Sequence, residues 1–253
     1  AVGGLARVVD AALSGTHYDY DAFGNIVRVR DARGAEVLAT YDARGRRTSL
    51  LDPSAGLWLY GHTPLGELKA LTNARGQVTS FAYDRLSRPV TRTEPEGTTT
   101  WTWGTSGASR NIGALATVST PRFRESYQYD PYGRLSLVER VAAGLTMVSQ
   151  QTYDATTGLP DVLAYPQTTA AARLRVRHHH DRGRLVRLSD LDSGATYWQL
   201  DGVDARGLVS DETLGNGVRV ASTRDAVTGA LVARTAGPGG GSSYQNLAYS
   251  WDK

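Results

Sequence analysis

The chain contains no cysteine, which excludes disulfide cross-links, thiolate nucleophiles and cysteine-ligated zinc. No apolar run approaches the ~18–20 residues of a membrane-spanning helix, so no membrane span is expected. Lysine is nearly absent: Lys69 and Lys253 stand alone, and the other 26 basic residues are arginines, scattered along the chain rather than clustered. The balance of 28 basic against 25 acidic residues leaves a formal charge of +3, too slight to predict nucleic acid as a partner. Phenylalanine is scarce as well, three residues against thirteen tyrosines. The opening stretch AVGGLARVVD has no initiator methionine and no basic segment leading into an apolar one. It reads as an interior piece of a longer chain rather than a signal peptide.

What is present is a repeat. Turn-forming residues, usually aspartate, recur with a glycine three or four positions later: Asp21 to Gly24, Asp31 to Gly34, Asp42 to Gly45, Asp52 to Gly56, His62 to Gly66 and Asn73 to Gly76. Asp84 to Ser87 and Glu94 to Gly97 continue the series, and successive first residues are 10, 11, 10, 10, 11, 11 and 10 apart. That is the length of one strand plus one tight turn. Aspartate opening a type I turn accepts from backbone amides, and glycine at the fourth position tolerates positive φ. The expected structural turn residues are therefore Asp21, Gly24, Asp31, Gly34, Asp42, Gly45, Asp84, Asp130, Gly133, Asp204 and Gly207.

The spacers between turns alternate in character with period two, as in Ile26 to Arg30, Thr98 to Trp103 and Arg173 to Arg177, which predicts strands. The whole of 1–253 reads as one continuous all-β array. Residues 1–15 form a divergent or partly helical lead-in, because Leu5, Val8, Val9, Ala12 and Leu13 would share one helical face. Residues 237–243, rich in glycine and serine, read as a flexible loop.

A longer period overlays the short one. An aromatic residue precedes aspartate at Tyr20, Tyr41, Tyr83, Tyr129, Tyr153 and Trp251, at intervals that make each unit a two-stranded hairpin. A tyrosine at a strand end can pack its ring while its hydroxyl reaches a neighbouring turn, so Tyr20, Tyr41, Tyr83, Tyr129 and Tyr153 are the expected repeat aromatics. The unit Tyr-x-Tyr-Asp-x-x-Gly-[Arg/Asn]-Leu/Ile, present at Tyr18 to Ile26 and at Tyr127 to Leu135, resembles the YD repeat of the Rhs family. That family includes bacterial Rhs toxins, the C components of Tc toxins and, more distantly, the teneurins.

The resemblance implies tandem antiparallel β-hairpins in a curled, spiralling sheet, part of a hollow shell that encapsulates or carries a C-terminal toxic effector. Its implied partners are the remainder of the parent shell and that toxin cargo, and its implied location is secreted or at the cell surface. An isolated piece of such a sheet would expose strand edges prone to self-association. Asp52-Pro53 and Asp130-Pro131 share the opening of the family's self-cleaving segment but continue as ordinary repeats, so protease activity is not carried over.

Other constellations favour structural readings. His178 and His180 would share one strand face, yet no third metal ligand is identifiable. Asp19 and Asp21 lack the closing acidic ligand of a calcium loop. There is no Gly-x-Ser-x-Gly elbow and no His-Glu-x-x-His helix, so neither an enzyme nor a cofactor is expected. Arginines interleaved with aromatics, as in Arg122 to Arg124, leave binding of carbohydrate or cell-surface glycans as the alternative function.

Overall fold

The structure, a computed structural model, describes residues 4–11, 13–167 and 172–251. Asp252, which follows Trp251 in the last aromatic–aspartate pair, lies outside the described residues. Twenty-two strands and no helix occur among them. The chain folds as two compact units, Ala1–Gly104 with Gly113–Arg124, and Thr105–Ile112 with Glu125–Lys253.

In the first unit the strands are β1 (Arg7–Val9), β2 (Gly15–Tyr20), β3 (Ile26–Arg30), β4 (Glu36–Tyr41), β5 (Arg47–Asp52), β6 (Gly56–His62), β7 (Leu68–Thr72), β8 (Val78–Tyr83), β9 (Pro89–Glu94), β10 (Gly97–Trp103) and β11 (Leu115–Thr120). Each pairs antiparallel with its neighbours in sequence. The division between the units falls within β12 (Phe123–Tyr129). The second unit continues with β13 (Leu135–Ala142), β14 (Leu145–Tyr153), β15 (Pro160–Ala164), β16 (Arg175–Asp181), β17 (Arg184–Asp190), β18 (Thr196–Val203), β19 (Val209–Leu214), β20 (Val218–Arg224), β21 (Leu231–Pro238) and β22 (Gln245–Ala248). From β13 onward these too pair antiparallel in sequence order. The all-β array of tandem antiparallel hairpins is what the chain forms.

Two segments differ from the sequence expectation. The helical alternative over Leu5 to Leu13 does not form among the described residues; Ala12 lies outside them. Arg7–Val9 instead takes its backbone partners from β2, with Val8 opposite Thr16, and Leu13 turns the chain at φ 64°. An apolar face suited to a helix is overridden by a strand edge able to satisfy the same amides. Gly237 and Pro238, expected in the flexible loop, sit in the ladder opposite Arg219 and Val218, and the connection closes through Gly241 N to Pro238 O at 3.1 Å.

Neither unit encloses a deep core. No side chain among the described residues is fully buried, and the buried apolar residues are small, including Ala39, Val162, Ala164, Val176, Val220 and Ala236. The row Ala39, Leu50, Trp58 crosses β4, β5 and β6 on one face, while the row Leu38, Leu51, Leu57 crosses the same strands on the other and stays exposed. With so little apolar surface removed from water, hydrogen bonding and stacking at the strand ends carry more of the cohesion than in a two-layered domain.

Candidate functional site: the aspartate–arginine turn edge

Antiparallel strands reverse at every turn, so turns two apart in sequence lie along the same edge. Many of the turns begin on a side-chain acceptor that organises them. Asp21 Oδ1 accepts from Phe23 N and Asn25 N, Asp42 Oδ1 from Arg44 N and Arg46 N, and Asp84 Oδ1 from Leu86 N and Arg88 N. Asp130 does the same for Tyr132 and Arg134, Asp204 for Arg206 and Leu208, and on the opposite edge Asp31 for Arg33 and Ala35. The fourth residue is left-handed, with φ 86° at Gly24 and Gly34, 73° at Gly45, 78° at Gly133 and 79° at Gly207. Together these make a type I turn closed by a bulge, the three-residue hairpin connection. The fifth turn starts at Thr63 rather than His62: Thr63 N donates to Glu67 O at 2.8 Å and Gly66 N to Thr63 O at 3.0 Å.

The repeat tyrosines fasten each hairpin across its end. Tyr41 OH donates to Ile26 O at 3.0 Å, Tyr83 OH to Leu68 O at 2.9 Å and Tyr153 OH to Leu135 O at 2.9 Å. In each case the last residue of one strand reaches the first residue of the strand before it. Tyr20 OH reaches Leu5 O at 3.0 Å in the same manner, and Trp103 and Trp251 substitute their indole N–H, to Pro89 O at 2.9 Å and Leu231 O at 2.8 Å. Tyr129 ends β12, and burial raises its phenol pKa.

Sequence reasoning missed these arginines, which it recorded only as cations scattered along the chain. Arg46, Arg88 and Arg134 each follow their turn glycine or serine and return Nε and Nη2 to Oδ2 of the opening aspartate, at 2.6–2.7 Å. The remaining Nη1 reaches forward to the next turn on the edge: Arg46 to Thr63 O at 2.8 Å, Arg88 to Gly113 O at 3.3 Å and Arg134 to Gly158 O at 2.9 Å. The guanidinium planes also cover the next aromatic, Arg88 over Trp103 at 4.8 Å and Arg134 over Tyr153 at 4.0 Å. Arg184 bonds Gly207 O at 3.0 Å, and Arg206 bonds Ala226 O and Val227 O at 3.0 and 2.7 Å. The signal was the bracketed Arg/Asn position of the repeat; Asn25, in the first copy, returns only a side-chain amide to Asp21 Oδ2 at 2.8 Å.

Where the pattern departs, the link is rebuilt with other chemistry. Glu67 takes the arginine position, and Ser87 the glycine position at φ 59°. Ser87 Oγ donates to Glu67 Oε1 at 2.6 Å, which joins the two turns. The Arg46 guanidinium and two backbone amides pull the Asp42 pKa down to about 2. Arg88 lowers that of Asp84, and the Asn25 amide that of Asp21. At Asp130 desolvation works the other way but is outweighed by Arg134 and the turn amides. Asp190, held by the Ser193 amide and hydroxyl and by the Tyr197 hydroxyl, also falls to about 2.

Two of the three adjacent histidines contact other groups. His179 Nε2 lies 2.9 Å from Ser189 Oγ, and His178 Nδ1 3.3 Å from Asp161 O. No group of three metal-ligating side chains occurs among the described residues. Asp19, weighed for calcium, pairs with Arg28.

The class these features define is a tandem array of antiparallel hairpins, each closed by an aromatic and an aspartate turn. Residues 20–56 and 62–99 match the RHS Repeat family, so that part of the chain carries RHS repeats. A comparison with curated proteins finds no match. Among solved structures the chain is similar to TcdB2-TccC3-Cdc42, at 16% identity and TM-score 0.77, covering 94% of this chain and 13% of that one. It is similar to TcdB2-TccC3 at 17% identity and TM-score 0.76, covering 97% and 14%. It is also similar to a Tc holotoxin pore of Photorhabdus luminescens at 16% identity and TM-score 0.60, covering 97% and 15%. The chain therefore shares the fold of these structures and spans about a seventh of their chains.

Proposed function

We propose that this chain is a wall segment of an Rhs-type shell, which encloses and carries a toxic effector supplied by a more C-terminal part of the same parent chain. The observation that carries the reading is the fastened edge: alternate turns, those along one edge, are tied by Arg46 and Arg88 in the first unit and by Arg134, Arg184 and Arg206 in the second, while neither unit encloses a deep core. Such construction suits a wall whose work is mechanical. Sheets beyond about ten strands curl or split rather than stay flat, and the likeness to Tc toxin structures along nearly the whole chain supports the same reading. The role is structural rather than enzymatic, and the parent is exported.

Limited proteolysis of the complete parent protein, followed by mass spectrometry, tests this. The segment C-terminal to the repeats is expected to resist digestion until the shell is denatured. Immediate digestion of that segment in the native protein overturns the reading and leaves glycan binding by an open array as the leading account.

A further inference from the structure

The three consecutive histidines lie on β16, in the second unit. Cross-strand pairing sets His179 opposite Arg187 and Arg177 opposite Ser189, and residues two apart on a strand share a face. His179, Arg177, Arg187 and Ser189 therefore lie together on one face of the β16–β17 pair. The contacts are close. Arg187 Nη2 is 3.4 Å from His179 Nδ1 and 3.3 Å from its Nε2, so the guanidinium lies against the ring rather than beside one nitrogen. His179 Nε2 is also 2.9 Å from Oγ of Ser189, a residue only 4% exposed.

Two cations thus face one imidazole, and the carboxylates around it answer other groups. On β15, Asp161 lies 3.4 Å from Arg177 Nε. On β16, Asp181 shares the face and stands opposite Arg184 of β17, while His178 turns its Nδ1 to Asp161 O. On β18, the uncharged Gln199 stands opposite Arg187, and Asp201 beyond it accepts from Gln199 and Thr213. Burial, with the charges of Arg187 and Arg177, holds the His179 pKa below its ordinary value against a smaller pull from Asp161. A neutral ring keeps one nitrogen as an acceptor, whereas the imidazolium is a donor at both. The Ser189 hydroxyl can take either role and survives the change. The guanidinium can only donate, so it is left against a second cation.

We propose that His179 makes the β16–β17 pair an acid-sensitive seam, firm while the ring is neutral and loosened when protonation sets a third cation against Arg177 and Arg187. The unfolded chain takes up this proton below about pH 6.5 while the folded chain resists it, so stability falls as pH drops through that range. The inference rests on this pair of strands alone and stands whether or not the array forms a shell.

Proton NMR titration of the full chain, with the His179 ring signal assigned by its loss in His179→Gln, tests the seam directly. His179 is expected to titrate below about 6.5, and Arg187→Gln should move its midpoint upward. Urea unfolding of the unmodified chain and of His179→Gln, at about pH 7.5 and about pH 5, reads the consequence. The ratio of their unfolding constants, unmodified over variant, should rise about threefold or more in acid. Hydrogen exchange, corrected for its intrinsic pH dependence, should rise at β16 and β17 more than at β5 and β6. A midpoint at or above about 6.5, a midpoint unmoved by Arg187→Gln, a ratio constant with pH, or exchange that rises equally in both strand pairs overturns the assignment.

Discussion

Arg134 sets its guanidinium carbon 4.0 Å from the ring centre of Tyr153, the aromatic residue that ends the following hairpin of its unit. The same guanidinium holds Asp130 behind it and Gly158 O ahead of it. One side chain thus closes its own turn, stacks on the next repeat and satisfies a carbonyl of the next turn. A chain with little buried apolar surface gains cohesion along its edge in this way, one repeat to the next.

Replacing that fork with a point charge isolates the stacking. Arg134→Lys keeps a cation near Asp130 but loses the planar contact, worth about 0.5–1 kcal/mol at an exposed site. A double-mutant cycle with Tyr153→Leu, read by thermal unfolding, should return a coupling of that size. Additive effects would mean that the two residues do not support one another.

The tyrosine latches make a separate prediction. Tyr41→Phe and Tyr83→Phe each remove one hydroxyl donor, to Ile26 O and Leu68 O, and should each cost about 1 kcal/mol. Denaturant unfolding of the single variants measures this, and unchanged midpoints would remove the latches from the account.

Two glycines separate backbone strain from crowding. A Cβ on Gly24, at φ 86°, meets nothing within 4 Å, so Gly24→Ala should cost only the left-handed penalty, about 1–2 kcal/mol. A Cβ on Gly56, at φ 74°, would lie 2.5 Å from the Ala74 Cβ. Gly56→Ala should therefore cost a further ~1–3 kcal/mol of overpacking. Equal losses at the two positions, measured by urea unfolding, would contradict this ordering.

Much of this was legible because the repeat is written in residues with strong local preferences. Aspartate at Asp42 and glycine at Gly45 set a turn whatever surrounds them, and period-two strands such as Thr98 to Trp103 admit one backbone. The links between repeats were not legible, because Arg134 and Tyr153 are apart in sequence and only the doubled strand length brings them together. Arg46 and Arg88 read as ordinary surface cations for the same reason. The lead-in was left open between a divergent and a partly helical segment because Leu5, Val8, Val9 and Leu13 suit a helix locally, while the partner strand that decides the matter begins only at Gly15. The turn register slipped by one at His62 because Thr63 can supply the turn acceptor that aspartate supplies elsewhere, its Oγ1 accepting from Glu67 N at 3.2 Å.

The depressed carboxylates fix the sign of the acid response. The Asp42 pKa in the folded chain is about 2, below the ~3.9 of an unfolded aspartate. Its ionised form therefore stabilises the fold above about pH 4, and that contribution is lost as pH falls through the folded value. Asp84 and Asp130 shift in the same direction. The difference in melting temperature between the unmodified chain and Asp42→Asn should stay constant from neutral pH to about pH 5 and shrink between about pH 4 and 2. A difference that shrinks already above pH 5 would contradict the assigned shift.

Electron cryomicroscopy of the complete parent protein tests the central claim most directly. The account predicts a closed, hollow wall in which these strands run in register, with density for the C-terminal segment inside it. An open ribbon of hairpins, or a closed wall with that segment outside, would contradict it.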